Sequence, residues 1–140
     1  NIIKALVEGG ADGLELGFPY SDPIADGPTI QKASIRALSN KIKTDDCFEI
    51  IRQVRETYAD IPIGLLLYSN LILKRSIEKF YQDAAKAGVD SILIADVPLR
   101  EADRFIAIAE QTGIKQILIA PPNASDETFA QIGKKSQGYT

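Results

Sequence analysis

Short apolar segments alternate with longer amphipathic segments along this chain. Four of the apolar segments are almost continuously hydrophobic, as strands buried on both faces of a sheet are. They are GLELG (13–17), IGLLLY (63–68), SILIADV (91–97) and QILIAPP (116–122). The amphipathic segments between them predict helices, and regular strand–helix alternation predicts an α/β fold with parallel strands.

Glycine, serine and proline mark the ends of the predicted helices. These helices are IIKALVEGG (2–10), DDCFEIIRQVRETY (45–58), IEKFYQDAAKAG (77–88), READRFIAIAEQTG (100–113), ASDETFAQIGKKSQG (124–138) and one that opens near Thr29, behind Pro28. Gly88 and Gly113 stand at C-cap positions, and Ser125 stands at an N-cap position. We expect residues 1–140 to belong to a single domain without a linker.

A weak internal repeat draws attention to Glu15. In GGADGLELGFP (9–19) and AGVDSILIADVP (87–98) a helix ends, a strand follows and a proline stops the strand. The two segments align without gaps, and Glu15 falls on Leu93. A carboxylate therefore occupies a position at which the related strand has leucine.

Alternation along the strand predicts where Glu15 points. Leu14 and Leu16 share one face, and Glu15 lies on the other, which is the inside of the sheet or barrel if the leucines pack under helices. A charged carboxylate there is costly, and local conflicts of this kind mark functional sites. The structural alternative is a buried ion pair, for which the predicted strands offer only Lys115, at a strand start.

The loop FPYSDPIADGP (18–28) behind this strand is rich in turn residues. Its three prolines fix the backbone, so covalent structure alone orders the loop. Asp22 and Asp26 are each more often turn formers than catalytic groups. Asp26, however, follows the carboxyl end of a parallel strand, where α/β proteins build their sites, and a stiff loop can return it towards Glu15.

Composition excludes several kinds of chemistry. The formal charge is −3 with acids and bases interspersed, so there is no basic patch of the kind that binds nucleic acid or an anionic membrane. No apolar run reaches the roughly 18 residues that a membrane-spanning helix needs. The single thiol, Cys47, has acidic neighbours and is expected to be inert. A lone cysteine suggests a reducing compartment, so we expect the protein in the cytoplasm by default, or in a plastid if it comes from a plant or alga. Without histidine, acid–base chemistry falls to Asp, Glu, Tyr or Lys, and no metal site is expected.

The segment ELGFPYSDPIADGPTIQKA resembles the signature of the tryptophan synthase alpha chain family. The segments LLLYSN, DSILIADVP and APPNASDE match further family segments in order and spacing, so the resemblance covers the whole chain. It implies a (β/α)8 TIM barrel that cleaves indole-3-glycerol phosphate to indole and glyceraldehyde 3-phosphate. It also implies a beta-chain partner in an alpha2-beta2 tetramer, with pyridoxal phosphate in the beta chain and no cofactor in this one.

The resemblance also implies roles for individual residues. Glu15 and Asp26 match the two catalytic carboxylates, one exchanging protons with the substrate and one stabilising positive charge on the indole ring. Tyr68 matches a pocket tyrosine, and Leu66, Leu93, Ala95 and Ile119 are expected to line the indole site, although barrel-core packing is an equal alternative for these aliphatic residues. The expected contacts with the beta chain are Pro19, Asp22, Pro23, Asn70, Asp96, Pro98 and Asn123.

A complete barrel of this kind takes about 250 residues. The predicted elements run from about barrel strand 2 to the start of strand 6, with a possible strand edge at GYT (138–140). We therefore expect a partial chain whose phosphate-binding residues lie elsewhere. Its open strand edges should make the isolated piece aggregate or stay molten, with almost no activity.

Three alternatives remain at this stage. The first is a standalone indole-3-glycerol phosphate lyase that needs no beta chain. The second is another phosphate-sugar barrel, such as an isomerase, although it leaves the shared motif of Asp22 and Asp26 unexplained. The third is a non-catalytic barrel that only binds and activates a partner, against which Glu15, Asp26 and Tyr68 all weigh.

Overall fold

Four parallel strands form one sheet in the computed structural model, which describes residues 2–140. The strands are β1 (Leu14–Gly17), β2 (Ile63–Leu67), β3 (Ser91–Ile94) and β4 (Lys115–Ile117), and each pairs with the next along the chain. Each connection includes at least one helix, as parallel neighbours require. The predicted α/β class and parallel sheet are confirmed.

Seven α-helices accompany the sheet in the described residues. They are α1 (Ile2–Glu8), α2 (Pro28–Ser39), α3 (Thr44–Thr57), α4 (Ser69–Leu73), α5 (Ile77–Ala87), α6 (Asp103–Thr112) and α7 (Asp126–Lys135), with a 3-10 turn at Leu99–Glu101. All six predicted helices are present, whereas the short helix α4 was not predicted. No described helix is both long enough and apolar enough to cross a membrane.

The predicted helix ends agree with the structure. Gly88 and Gly113 adopt left-handed φ angles of 90° and 77° at the C-caps of α5 and α6. The Ser125 hydroxyl accepts a hydrogen bond from the Thr128 N–H at the start of α7, and Pro28 occupies the first turn of α2.

The predictions for the strand ends need two corrections. The third and fourth strands end at Ile94 and Ile117, several residues before the predicted ends at 97 and 122. In the fourth tail Pro121 and Pro122 cannot donate to a strand ladder, and in the third tail the Asp96 side chain binds the start of α4. The GYT segment (138–140) is not a strand, and Gly138 takes a φ of 93° just after the Gln137 N–H bonds to the Gln116 carbonyl.

One face of the sheet, here called the outer face, packs against helices. It carries Leu14, Leu16, Ile63, Leu65, Leu67, Ile92, Ile94 and Gln116. Phe48 and Ile51 of α3, Phe80 of α5 and Phe105 of α6 are almost fully buried in the core that covers this face. Burial of each such side chain contributes about 1.5–3 kcal/mol, so this face holds the fold together.

Arg55 ties the amino ends of the strands to α3. Its guanidinium donates to the carbonyl oxygens of Gly88 and Ile61, at 2.7 Å each, and to the Asp90 carboxylate at 2.6 Å. The same Asp90 oxygen accepts the Ile63 N–H at 2.8 Å. A side chain at Gly88 would collide with the Arg55 stem, because its Cβ would lie 2.8 Å from Cγ.

Candidate active site

The opposite face of the sheet, here called the inner face, carries the residues that the sequence singled out. Strand pairing places Glu15, Gly64, Ser91 and Lys115 in one row and Gly17, Leu66, Leu93 and Ile117 in the next. Tyr68, Ala95 and Ile119 continue the same alternation just past the strand ends. The predicted orientation of Glu15, opposite the two leucines, is therefore correct.

The expected burial of Glu15 is not found, because its side chain is exposed. The reason is geometric: four strands form an open sheet, and no described segment closes it opposite Glu15. None of the ion pairs among residues 2–140 includes Glu15, so Lys115 does not neutralise it. The buried ion pair considered from the sequence is wrong for the described residues.

Tyr139 is the hydrogen-bond donor to Glu15. Its hydroxyl donates to Glu15 Oε1 at 2.5 Å, across 124 residues of sequence. Loss of solvent, followed by the hydrogen bond to Glu15 and its charge, raises the pKa of Tyr139 to about 12, and a hydrogen bond with Ser91 opposes this shift. Sequence reasoning assigned Tyr139 to a possible strand edge and missed this contact.

Gly64 leaves room for that contact. A Cβ at this position would lie 2.8 Å from Ser91 Oγ and 3.6 Å from the Tyr139 hydroxyl. The distance to the Tyr139 hydroxyl is an ordinary contact, so the missing side chain mainly keeps the Ser91 side chain in place beside Tyr139 across β2.

The Asp26 loop returns to the sheet at Tyr68. The Tyr68 hydroxyl accepts the Ala25 N–H at 3.0 Å, and the Asp26 carboxylate lies near enough to influence the pKa of this hydroxyl. Burial raises the pKa of Tyr68, the Ala25 N–H opposes this, and the hydrogen bond and charge of Asp26 raise it further. The Gln31 amide donates to the Asp26 carbonyl at 2.8 Å, which fixes the loop to α2.

Asp26 and Glu15 are not in contact through any hydrogen bond of the described residues. Glu15 pairs with Gly64, and the Tyr68 that Asp26 contacts lies four residues further along β2, about 13 Å away along the strand direction. The loop thus returns to the sheet at Tyr68, and the predicted approach of Asp26 to Glu15 is not seen as a direct contact.

The predicted pocket aliphatics share the inner face and stay partly accessible. Leu66, Leu93 and Ala95 are half-buried, and Ile119 is 50% exposed. A groove of about 790 Å³ follows the ends of β3 and β4, and its lining includes Ala95, Asp96, Pro98 and Ile119. Ile117, which was not predicted as a pocket residue, pairs with Leu93 on the inner face and is buried beside Gly138.

The predicted partner-contact residues lie in the loops at the carboxyl end of the sheet. Asp22, Asn70, Pro98 and Asn123 are exposed, whereas Pro19, Pro23 and Asp96 are half-buried. Asp96 is already engaged within the chain, because its carboxylate accepts the Ser69 N–H and the Ser69 hydroxyl at 2.8 Å each. Asn70 donates to the Tyr20 hydroxyl at 2.7 Å.

Cys47 behaves as its sequence neighbours predict. It is half-buried against the core, and loss of solvent together with the charge of Asp46 raises its pKa to about 11. At neutral pH the group is a thiol rather than a nucleophilic thiolate.

Comparison with known proteins relates this arrangement to one family. The family model described as tryptophan synthase alpha chain matches residues 1–140. Tryptophan synthase alpha chains from Vibrio parahaemolyticus and Francisella tularensis are each 58% identical over 139 residues, which are 99% of this chain and 52% of theirs. The chain thus spans about half the length of these curated relatives.

Solved structures give the same relation. Tryptophan synthase subunit alpha from Legionella pneumophila superposes with a TM-score of 0.94 at 37% identity, over 99% of this chain and 54% of that one. A tryptophan synthase complex from Pyrococcus furiosus matches with a TM-score of 0.92 at 40% identity, over 97% of this chain and 56% of that one.

Proposed function

Because this chain belongs to the tryptophan synthase alpha chain family, we propose that it carries part of a carbon–carbon lyase site. The reaction is the cleavage of indole-3-glycerol phosphate to indole and glyceraldehyde 3-phosphate. The observation that carries this proposal is Glu15, an acid on the inner face of the sheet, held by Tyr139 and set among partly accessible aliphatic side chains.

The chain is a fragment of the family's (β/α)8 barrel, with four of its strands. We propose that residues 1–140 form part of one such domain and that phosphate is bound by residues beyond this chain. The exposed inner face supports the further proposal that the isolated piece associates with itself and has almost no activity. The full-length protein is this chain together with the remaining part of its barrel.

Glu15 and Asp26 divide the chemistry between them. A proton added to the indole ring carbon gives a cationic ring, and removal of the proton from the adjacent glycerol hydroxyl forms the aldehyde. The electron pair of the broken carbon–carbon bond then restores the aromatic ring. Glu15 exchanges these protons, and the Asp26 carboxylate stabilises the positive charge near the indole N–H.

The neighbouring side chains suit an indole ring between the two carboxylates. Leu66, Leu93 and Ala95 offer apolar surface on the inner face, with Ile119 at its rim, and Tyr68 adds a buried aromatic ring beside Asp26. A substrate that presents a ring nitrogen and a glycerol hydroxyl as separate groups can use the two acids in separate roles. Tyr139 orients the Glu15 carboxylate.

We propose a beta chain as the partner, in an alpha2-beta2 assembly such as the one named for the Pyrococcus furiosus enzyme. Its contact surface includes Asp22, Pro98 and Asn123, which are exposed, and Pro19 and Pro23 beside them. The exposed Asn70 and the half-buried Asp96 complete this surface, and they bind Tyr20 and Ser69 respectively. This chain needs no cofactor for the cleavage, and pyridoxal phosphate belongs to the beta chain. The cytoplasm is the proposed location.

Indole release by the full-length protein tests the proposal. Glu15→Gln should lower kcat by about 10²–10⁴, while the control Glu56→Gln, an exposed acid of α3, should leave it unchanged. Addition of a beta chain should speed the reaction. Full activity in Glu15→Gln would overturn the proposed role, fast release without a partner would indicate a standalone lyase, and no release at all would indicate a barrel that only binds.

A further inference from the structure

Tyr20 connects two loops at the carboxyl end of the sheet. Its ring stacks on the ring of Tyr68, with centroids 5.2 Å apart and 29° between the planes. Its hydroxyl accepts a hydrogen bond from the Asn70 amide at 2.7 Å. One half-buried side chain is thus held both by its ring and by its hydroxyl group.

The Tyr68 side chain on which Tyr20 stacks contacts the Asp26 loop. Tyr68 is buried, with 4% of its surface exposed, and its hydroxyl accepts the Ala25 N–H at 3.0 Å. Burial, and after it the neighbouring Asp26 carboxylate, raises the pKa of this hydroxyl. Displacement of the Tyr68 ring therefore moves the hydroxyl that binds the Asp26 loop at Ala25.

The Asn70 end of the connection is also fixed. Asn70 is the second residue of α4, and Ser69 before it is bound by the Asp96 carboxylate through two hydrogen bonds of 2.8 Å. Asp96 follows β3, so the Asn70 amide is positioned by the neighbouring strand. A series of contacts runs from Asp96 to Ser69, the neighbour of Asn70, and from Asn70 through Tyr20 and Tyr68 to the Ala25 N–H of the Asp26 loop.

We propose that Tyr20 is a positioning residue, which holds Asp26 in place through the Tyr68 ring and is itself oriented by the Asn70 amide. This inference rests on the proposed function for the role of Asp26, but the positioning can be measured independently of it. A residue that merely fills space would leave the Asp26 loop unchanged when its hydroxyl group is removed.

Hydrogen exchange in the full-length protein tests the positioning without any assay of activity. In Tyr20→Ala the Ala25 amide should exchange faster by about two- to tenfold, the range that one aromatic pair supplies. Tyr20→Phe keeps the ring and loses the hydroxyl, so it should give a smaller increase. The matched control Tyr58→Phe changes a tyrosine that follows α3 and should leave Ala25 unchanged. An unchanged Ala25 amide in Tyr20→Ala, in a protein that melts at the normal temperature, overturns the inference.

Kinetics then tests whether the positioning acts through Asp26. Tyr20→Ala should lower kcat by about two- to tenfold with KM within about twofold, and it should have no further effect in an Asp26→Asn background. An equal loss in both backgrounds would mean that Tyr20 acts independently of Asp26, and the inference would fall. If Asp26→Asn is itself fully active, the proposed role of Asp26 fails, and the exchange experiment alone decides the positioning.

Discussion

Two tyrosine hydroxyl groups donate hydrogen bonds on opposite faces of the same sheet, and they differ in almost every other respect. On the outer face Tyr81 donates to the Gln116 side chain, and both residues are buried. On the inner face Tyr139 donates to Glu15, and both side chains are exposed. The first acceptor is a neutral amide, and the second is a carboxylate.

The difference separates groups that hold the fold from groups for which we propose a chemical role. The Gln116 amide also donates to the Ile92 carbonyl at 3.0 Å, so its buried polar atoms are fully used by the chain itself. Glu15 has one oxygen held and remains accessible to another molecule. We infer that substitutions on the outer face change stability, whereas substitutions on the inner face change activity.

Tyr81→Phe should have the largest effect on stability. It leaves the Gln116 carbonyl oxygen buried without its donor, which costs about 1–3 kcal/mol. Urea unfolding of the full-length protein measures this loss, and kcat of the folded variant should stay within about twofold of normal. Tyr58→Phe, at the end of α3, is the control. A loss of activity at normal stability would contradict the separation of the two faces.

Tyr139→Phe should have the opposite pattern. A hydrogen bond to a charged group contributes about 1.5–3 kcal/mol, and the exposed setting reduces this. We expect kcat to fall by about tenfold, equivalent to about 1.4 kcal/mol, because Glu15 loses its orienting donor, while stability stays nearly constant. Steady-state kinetics beside urea unfolding measures both quantities. Unchanged kcat would show that Glu15 needs no orientation from Tyr139.

Patterns in the sequence predicted the strands and helices of the outer face and the orientation of Glu15 on the inner face. Hydrophobic runs and cap residues predicted the strands and helices because each of these signals acts over a few neighbouring residues. Alternation along β1 was enough to turn Glu15 away from Leu14 and Leu16. The ends of β3 and β4 were overestimated, because apolar residues continue into loops that line a groove rather than a strand ladder.

The contacts that complete the site were beyond prediction from local pattern. Tyr139 reaches Glu15 across 124 residues, and Asn70 reaches Tyr20 across 50. Such pairs depend on the curvature of the sheet and the paths of loops, which no spacing along the chain encodes. The burial of Glu15 was also misjudged, because it requires barrel strands that are absent from this chain.

Alkaline pH should change the stability that Tyr81 contributes, by less than the Tyr81→Phe substitution itself. Burial alone raises the pKa of Tyr81 above its ordinary value of 10.0, so the folded state keeps a proton that the unfolded state releases. The stability that Tyr81 contributes is therefore fully present below about pH 10 and falls as the pH rises towards its folded pKa. The difference in unfolding free energy between the full-length protein and Tyr81→Phe should shrink by about 1 kcal/mol between pH 9 and 11.

The same measurement on Tyr139→Phe should show a weaker trend. Loss of solvent and the hydrogen bond to Glu15 raise the pKa of Tyr139 to about 12. The stability that Tyr139 contributes should therefore also fall with rising pH, between about pH 10 and 12. Half of the side chain is exposed, so solvent screens the interaction and weakens the trend. Urea midpoints at pH 9, 10 and 11 for the parent and both variants separate the two cases. If the Tyr81 difference stays constant up to pH 11, this tyrosine ionises as freely in the folded protein as in the unfolded chain. Its hydrogen bond to Gln116 would then not be the buried structural contact that distinguishes the outer face from the inner one.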